Sequence, residues 1–465
     1  MYILHRNGST PLYIQLYKQL KNDIVINYKV GEKIPSIRTT AALYNLSKNT
    51  VESAYTQLYA EGFIESYPKS GYVVSDLHYN DFIVQKEIIA TPKEETIPYQ
   101  YDFFPAQLTN DSFPLKLFKR LFNKAVNESL DFGSYHDGAG DISLRVEIAK
   151  YIAQSRGVIC KAEQIIICSG FSDSMTLLAK LIKHKYNSFA MEHPGYHVAR
   201  RVFEEYGYAI EKIRVDNDGL SLKKLQDSQA KVVYITPSHQ YPTGAILPIA
   251  KRQKLLEYIN SIDGLIIEDD YDSELSYFNR PIPSLQGLDM YDRVVYLGTF
   301  AKSLSPALRV SYMVLPHHLM MFYEQSFDAH FPRVSLPIQK TLELFLSQGH
   351  WERHVRKIRA LNKKKHNLMR DLLKEKLGST MTIIADGGGL AILIFPNIDL
   401  DLEKLKKYAN NANIKLYFAK ERSGGDFEAI RMGFGGFTLE ELPKAINAFA
   451  EVWHKVIKEK NTIQA

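Results

Sequence analysis

Leu297-Gly298-Thr299-Phe300-Ala301-Lys302-Ser303-Leu304-Ser305-Pro306-Ala307-Leu308-Arg309 follows the apolar run Val294, Val295, Tyr296. The run reads as a buried strand that delivers a hydroxyl residue, then a lysine, then an arginine. A lysine amine held neutral by partial burial and neighbouring cations is a nucleophile toward an aldehyde. Thr299 and Arg309 suit a phosphate, the arginine through its forked donors and the threonine through its hydroxyl. Aldehyde plus phosphate describes pyridoxal 5'-phosphate. The same stretch also fits a strand end followed by a solvated Ser/Lys loop, so other stretches must decide.

A second stretch, Leu265-Ile266-Ile267-Glu268-Asp269-Asp270-Tyr271-Asp272-Ser273-Glu274-Leu275, ends a β-branched run in carboxylates. Ligands in open α/β sheets bind at the carboxyl ends of strands. Pyridoxal chemistry needs an acid against the ring nitrogen, because the protonated ring is the electron sink. Asp269 is the candidate. Tyr271, two residues on, shares its strand face if the strand continues and then reaches the ring oxygen. Taken alone, the cluster also fits a solvated strand end or a metal site. With no nearby histidine or second carboxylate motif, metal is the weaker choice and none is expected.

The two stretches together resemble the fold-type-I aminotransferases. The wording Thr236-Pro237-Ser238-His239-Gln240-Tyr241-Pro242-Thr243-Gly244 and Glu268-Asp269-Asp270-Tyr271-Asp272 is similar to the MocR/GabR subgroup of the GntR regulators. That resemblance implies a winged helix-turn-helix followed by an α/β pyridoxal-phosphate transferase-like domain with a small C-terminal α+β lobe. The expected limits are 1–76 for the DNA-binding domain, 77–100 for a linker and 101–465 for the cofactor domain.

Totals agree with this size. The chain has 465 residues, 45% hydrophobic and 24% charged, the composition of a globular protein with several domains. No apolar stretch reaches ~18 residues, so no membrane partner is expected. The first ten residues lack the hydrophobic core of a signal peptide, which points to the cytoplasm. Two cysteines, Cys160 and Cys168, are too few for a disulfide framework. A net charge of +6 permits nucleic-acid contact without arguing for it.

From the beginning, Thr10-Pro11 predicts a helix start with Thr10 as cap and Pro11 in the first turn, and Leu12, Leu16, Leu20 and Ile24 follow at helical spacing. Ser36 opens a second helix over 37–44, and Ser47 caps a third whose apolar face is Val51, Ala54, Tyr55 and Leu58. Residues 63–66 and 72–74 bracket a turn and predict a hairpin wing. Lys48, Asn49 and Thr50 at the start of the third helix are candidates for base edges or phosphates, with Arg38 and Lys69 on the backbone. Gly31 to Arg38, Ser47 to Val51 and Gly62 to Ile64 are similar to the GntR-type domain. Lys48 stands where that family often has arginine, and of the wing's two glycines only Gly71 remains. Residues 1–76 carry eight Lys/Arg against six Asp/Glu, so charge alone does not mark the DNA-binder. Beyond the linker, apolar runs alternate with helical patterns and predict a largely parallel sheet. From about 335 to 375 the pattern is helical and basic.

The resemblance adds further residues. Phe171 and Ser172, after a strand and at a helix start, are implied as donors to the cofactor phosphate, and Tyr196 as the flat neighbour of its ring. Tyr241 stands where ordinary aminotransferases have an asparagine on the ring oxygen, a bond that Tyr241 or His239 could replace. Tyr135 is implied to reach the cofactor of the other subunit of a homodimer, and Arg431 to hold a substrate carboxylate. The expected function is a regulator that binds a double-stranded DNA operator and senses a small amino compound, or pyridoxal phosphate itself, by aldimine exchange at Lys302. The alternative is a working aminotransferase with an accessory N-terminal domain.

Overall fold

The computed structural model describes residues 2–6, 10–67, 71–76, 99–127, 130–278, 282–326, 332–385, 387–420 and 428–464. Chain contacts separate two units, Met1–Ile97 and Pro98–Ala465. Of the expected linker, residues 77–98 lie outside those described.

In the first unit, helices α1 (Leu12–Asn27), α2 (Ile37–Tyr44) and α3 (Lys48–Ala60) precede an antiparallel hairpin of β1 (Ile64–Tyr67) and β2 (Gly71–Val74). Ser36 and Ser47 each accept the backbone N–H three residues on, at 3.2 and 3.1 Å, satisfying donors that a helix start leaves open. Pro11 differs from expectation. It is the cap residue itself, its carbonyl accepting from Ile14 and Gln15, and Thr10 gives no side-chain cap. Leu16, Leu20, Ile24, Val51, Ala54 and Leu58 close one core between α1 and α3. Tyr55 is buried within it and donates to the Pro35 carbonyl at 2.6 Å, tying α3 to the start of α2.

The second unit runs β3 (Tyr101–Asp102), α4 (Leu115–Asn127), α5 (Ile142–Arg156), β4 (Ile165–Cys168), α6 (Phe171–Ile182), β5 (Ser188–His193), α7 (His197–Glu205), β6 (Ala209–Asp216), β7 (Gly219–Leu220), α8 (Leu222–Ser228) and β8 (Val232–Ile235). It continues with α9 (Ile249–Ser261), β9 (Leu265–Asp270), α10 (Leu285–Leu288), β10 (Val294–Thr299), β11 (Ser311–Val314), α11 (His317–Ser326), α12 (Leu336–Ser347) and α13 (His350–Leu377). The smaller lobe holds β12 (Met381–Ala385), β13 (Ala391–Pro396), α14 (Leu402–Asn411), β14 (Ile414–Lys415), β15 (Tyr417–Lys420), β16 (Glu428–Gly433) and α15 (Glu441–Gln464).

The large sheet has the order β4-β11-β10-β9-β8-β5-β6-β7. Strands β10, β9, β8, β5 and β6 pair in parallel, while β11 runs antiparallel between β10 and β4, so the sheet is mixed. Strands β4, β8 and β9 are buried along their whole length, as covering both faces of a sheet with helices demands. Their carboxyl ends open toward one cavity. Strands β6, β11 and β16 escaped the sequence reading, because none shows a clean alternation of apolar and polar residues.

Candidate functional site

The stretch 297–309 becomes a closed loop. Its strand β10 pairs with β9 on one side, Leu297 opposite Asp269, and with β11 on the other, Thr299 opposite Ser311. The Phe300 N–H donates to the Val310 carbonyl at 3.1 Å, so chain direction reverses within the loop. Phe300 is buried edge-on to Trp351 of α13, with ring centres 5.1 Å apart. His354 of α13 bonds the Ser303 carbonyl at 2.7 Å, and the Ser303 hydroxyl donates to Glu274 at 3.4 Å. Lys302 is thus anchored on both sides by buried neighbours.

Reversal brings Arg309 back to the start of α6. Its own φ is +53°, and its guanidinium donates to the Ser169 carbonyl at 3.4 Å. Gly170 has φ +86°, and a Cβ there would lie 2.3 Å from the Arg309 Nη2, so only glycine admits the guanidinium. The open N–H groups of the first turn of α6 and a guanidinium therefore face one spot, which is an anion cradle. Thr299 stands beside it, its hydroxyl accepting from the Ala301 N–H at 3.1 Å.

Asp269 is buried and accepts the Tyr234 hydroxyl at 2.5 Å. Burial pushes its carboxyl up to about 7, against the hydrogen bond from Tyr234. Strand β9 ends at Asp270, so Tyr271 sits past the strand rather than on its face. Its side chain still lines the cavity, and its hydroxyl donates to the His239 carbonyl at 3.0 Å. His239 Nδ1 lies 2.8 Å from Asp272; burial alone would lower its pKa, but that carboxylate holds it above the ordinary histidine value. For Lys302, burial first and the Arg431 guanidinium second bring the amine down from 10.5 to about 8.

These groups line one cavity of about 1210 Å³. It gathers Phe171, Tyr196, Tyr241, Asp269, Tyr271, Thr299, Lys302, Arg309 and Arg431 from among the expected residues. Tyr196 packs against Phe171 and Tyr241, with ring centres 5.1 and 5.2 Å away. Arg431, on β16, donates to the Tyr241 hydroxyl at 2.5 Å and lies over its ring at 4.3 Å. Ser172 does not line the cavity; it is exposed on the first turn of α6, and Ser174 lines the wall instead. Tyr135 is 83% exposed and also outside the lining. The His239–Asp272 pair and Tyr234 on Asp269 went unread in the sequence; only the nearness of His239 to Tyr241 hinted at the first.

In the first unit, Arg38, Ser47, Lys48 and Asn49 are exposed and Thr50 half-buried. The Ser47 and Thr50 hydroxyls bond each other at 2.7 Å, so both serve the helix cap. Gly71 begins β2 at φ +90° with open space around it, so backbone conformation rather than room calls for glycine. Lys69 lies outside the described residues.

Comparison with known proteins agrees with both halves. Residues 107–419 match the family described as Aminotransferase class I and II, and residues 12–74 match Bacterial regulatory proteins, gntR family. The chain is 35% identical to YdeL of Bacillus subtilis, an uncharacterized HTH-type transcriptional regulator, over 97% of this chain and 98% of that one. It is 32% identical to the probable rhizopine catabolism regulatory protein MocR of Rhizobium meliloti, over 84% and 83% of the two. In fold it is similar to the Pyrococcus horikoshii kynurenine aminotransferase, with TM-score 0.68 and 22% identity over 78% of this chain and 92% of that one. Among the described residues, no helix is long and apolar enough to cross a membrane. The exposed start of α3 and the cradle around Lys302 therefore sit in one polypeptide for one reason: the chain belongs to the MocR-type HTH transcriptional regulators, DNA-binding proteins that join a gntR-family domain to an aminotransferase class I and II domain using pyridoxal phosphate.

Proposed function

We propose that the second unit senses a small amino compound, or pyridoxal phosphate itself, and that this sets how a homodimer grips a double-stranded operator in the cytoplasm. The observation that carries the proposal is Lys302, half-buried between Asp269 and Arg431, with the Arg309–Gly170 cradle at the same cavity. The aldehyde of pyridoxal phosphate condenses reversibly with primary amines, whether of a lysine or of an effector. The residues fit that group. Arg309, Thr299 and the open N–H groups of the first turn of α6, beside Phe171 and Ser174, would hold the phosphate; the exposed Ser172 side chain is not needed. Tyr196 would stack on the ring, and Tyr271 or Tyr241 would supply a hydrogen bond to its oxygen, all three lining the cavity. Asp269 would meet the ring nitrogen, and a proton there would offset the burial that raises the carboxyl. Arg431 takes the effector's carboxylate, and Tyr135 reaches the partner subunit's cradle. On DNA, Lys48, Asn49 and Thr50 meet base edges at the Ser47-capped start of α3, with Arg38, Lys69 and the Gly71 wing on the backbone.

A test follows from the shifted amine. An amine with its pKa near 8 is about one-tenth neutral at pH 7, whereas an ordinary lysine is neutral only about once in several thousand. Lowering the pKa widens the pH range over which the amine is a nucleophile. Uptake of pyridoxal phosphate by cofactor-free protein, followed by visible absorbance, is expected to rise through pH 8 and level off above it. Arg431→Ala removes a repelling cation and moves the inflection upward. An inflection near 10.5 in the wild type would refute the arrangement.

Retention of Asp269, Lys302 and Arg431 in one cavity also supports the second reading, an aminotransferase. An amine panel separates the two. The regulator reading expects effectors that change both the visible spectrum and the footprint on the promoter of the chain's own gene, without steady consumption when a keto acid is added. Turnover with no protected DNA would favour the enzyme.

A further inference from the structure

Helix α13 carries ten Lys/Arg against three Asp/Glu, a surplus of seven where the whole chain has six. Everything outside that helix is therefore slightly acidic. Its inner face supplies Trp351, Val355, Ile358, Met369 and Leu373 to the cores; Lys365 is buried among them and Arg359 is half-buried on the Glu274 carbonyl, and most of the remaining charge lies on the outer face. Arg353, Arg356, Lys357, Lys363, Lys364 and Lys374 are all exposed and recur at helical spacing on one side. Of the helix's three acids, Glu352 is exposed at the start of the row, while Asp371 lies by Arg370 at 3.2 Å and Glu375 by Lys376 at 3.0 Å at its far end. No ion pair joins any of the six to a carboxylate among the described residues.

The row continues onto a neighbour. Helix α4 has Lys116, Lys119 and Arg120 exposed and no acidic residue. Its Arg120 approaches the start of α13 closely enough to act on His350: after burial, Arg353 and Arg120 are what hold that imidazole below its ordinary pKa. From Arg353 to Lys374 the row extends about 30 Å at 1.5 Å per residue, close to one turn of duplex DNA at roughly 34 Å. A straight row of cations of that length matches a phosphate backbone. The winged-helix unit, by contrast, has a surplus of only two over residues 1–76.

We infer that the outer face of α13, extended by α4, is a second DNA-binding surface, which holds the phosphate backbone of duplex flanking the operator without reading its sequence. This rests on the winged helix gripping the operator itself. Non-specific contacts of this kind add affinity in proportion to phosphates neutralised, and they weaken with salt.

The test uses full-length, cofactor-loaded protein and two duplexes, one ending at the footprinted operator and one extended by several helical turns. Wild type is expected to bind the longer duplex about tenfold or more tightly at low salt. Lys357→Glu combined with Lys364→Glu is expected to erase that gain, to flatten the salt dependence on the long duplex by about two phosphate contacts, and to leave short-duplex affinity unchanged. Melting temperature and the visible cofactor band report that the variant is folded. Equal affinity of wild type for both duplexes, or an undiminished gain in the variant, overturns the inference. So does loss of the dimer in the variant, which makes the face a subunit interface, or a preference for phosphatidylserine vesicles over duplex. Failure of wild type to bind either duplex instead removes the regulator reading, and this surface with it.

Discussion

Lys302→Ala is expected to abolish covalent capture of the cofactor and, with it, every effector-dependent change in operator affinity. After borohydride reduction, mass spectrometry should find the cofactor's mass on the wild-type chain and none on the variant. Among the described residues, two lysines have amines brought down to about 8, Lys302 and Lys365, so a depressed pKa does not choose between them. Location does. Lys365 is buried on α13 with its amine on the Gly435 carbonyl at 3.1 Å, and it is not part of the cavity lining. Lys302 shares a cavity with the Arg309 cradle and with Asp269. Mass appearing on the variant would move the anchor elsewhere and undo the proposed site. Binding to DNA without effector should persist, because the winged helix has its own core.

Arg156→Ala is expected to destabilise the second unit by about 3–5 kcal/mol, the cost of stranding a buried charge. Arg156 ends α5 and is almost fully buried. Its Nε donates to Asp270 at 2.5 Å, Nη1 to the Ile282 carbonyl at 2.9 Å and Nη2 to the Ser238 hydroxyl at 2.6 Å. Tyr296 donates to the same Asp270 oxygen at 2.7 Å, while Asp270 Oδ1 is buried without a hydrogen-bond partner among the described residues. Removing the guanidinium leaves that carboxylate with one neutral donor. Asp270 also neighbours Asp269 on β9, and Ser238 belongs to the segment carrying His239 and Tyr241, so cofactor affinity should fall as well. Denaturant unfolding measures the loss, which should shrink as pH falls, since the stranded carboxyl can then take a proton. A loss under about 1 kcal/mol would show that the charge is not stranded.

Much of this protein was legible in its sequence where the signal is local. Ser36 and Ser47 announce helix starts because a cap acts within three residues. Asp269 stood out because a charged residue near the end of an apolar, buried strand is itself unusual, and Lys302 because it follows such a strand by three residues. Tyr271 shows the limit: its place depended on whether β9 continued, and the strand stops one residue short of it.

By itself the sequence determined the three helices of the winged-helix unit and most of the strand–helix alternation, through helix-cap chemistry and apolar periodicity; its motifs pointed to the family by resemblance and singled out the lysine, aspartate and arginine that line one cavity. Only the tertiary structure decided the partnerships. His239 meets Asp272 from 33 residues away, Arg156 meets Asp270 from 114 and Arg431 meets Tyr241 from 190. No periodicity encodes such pairs, because they depend on which strands lie side by side in the sheet and on the closed loop that returns Arg309 to Gly170.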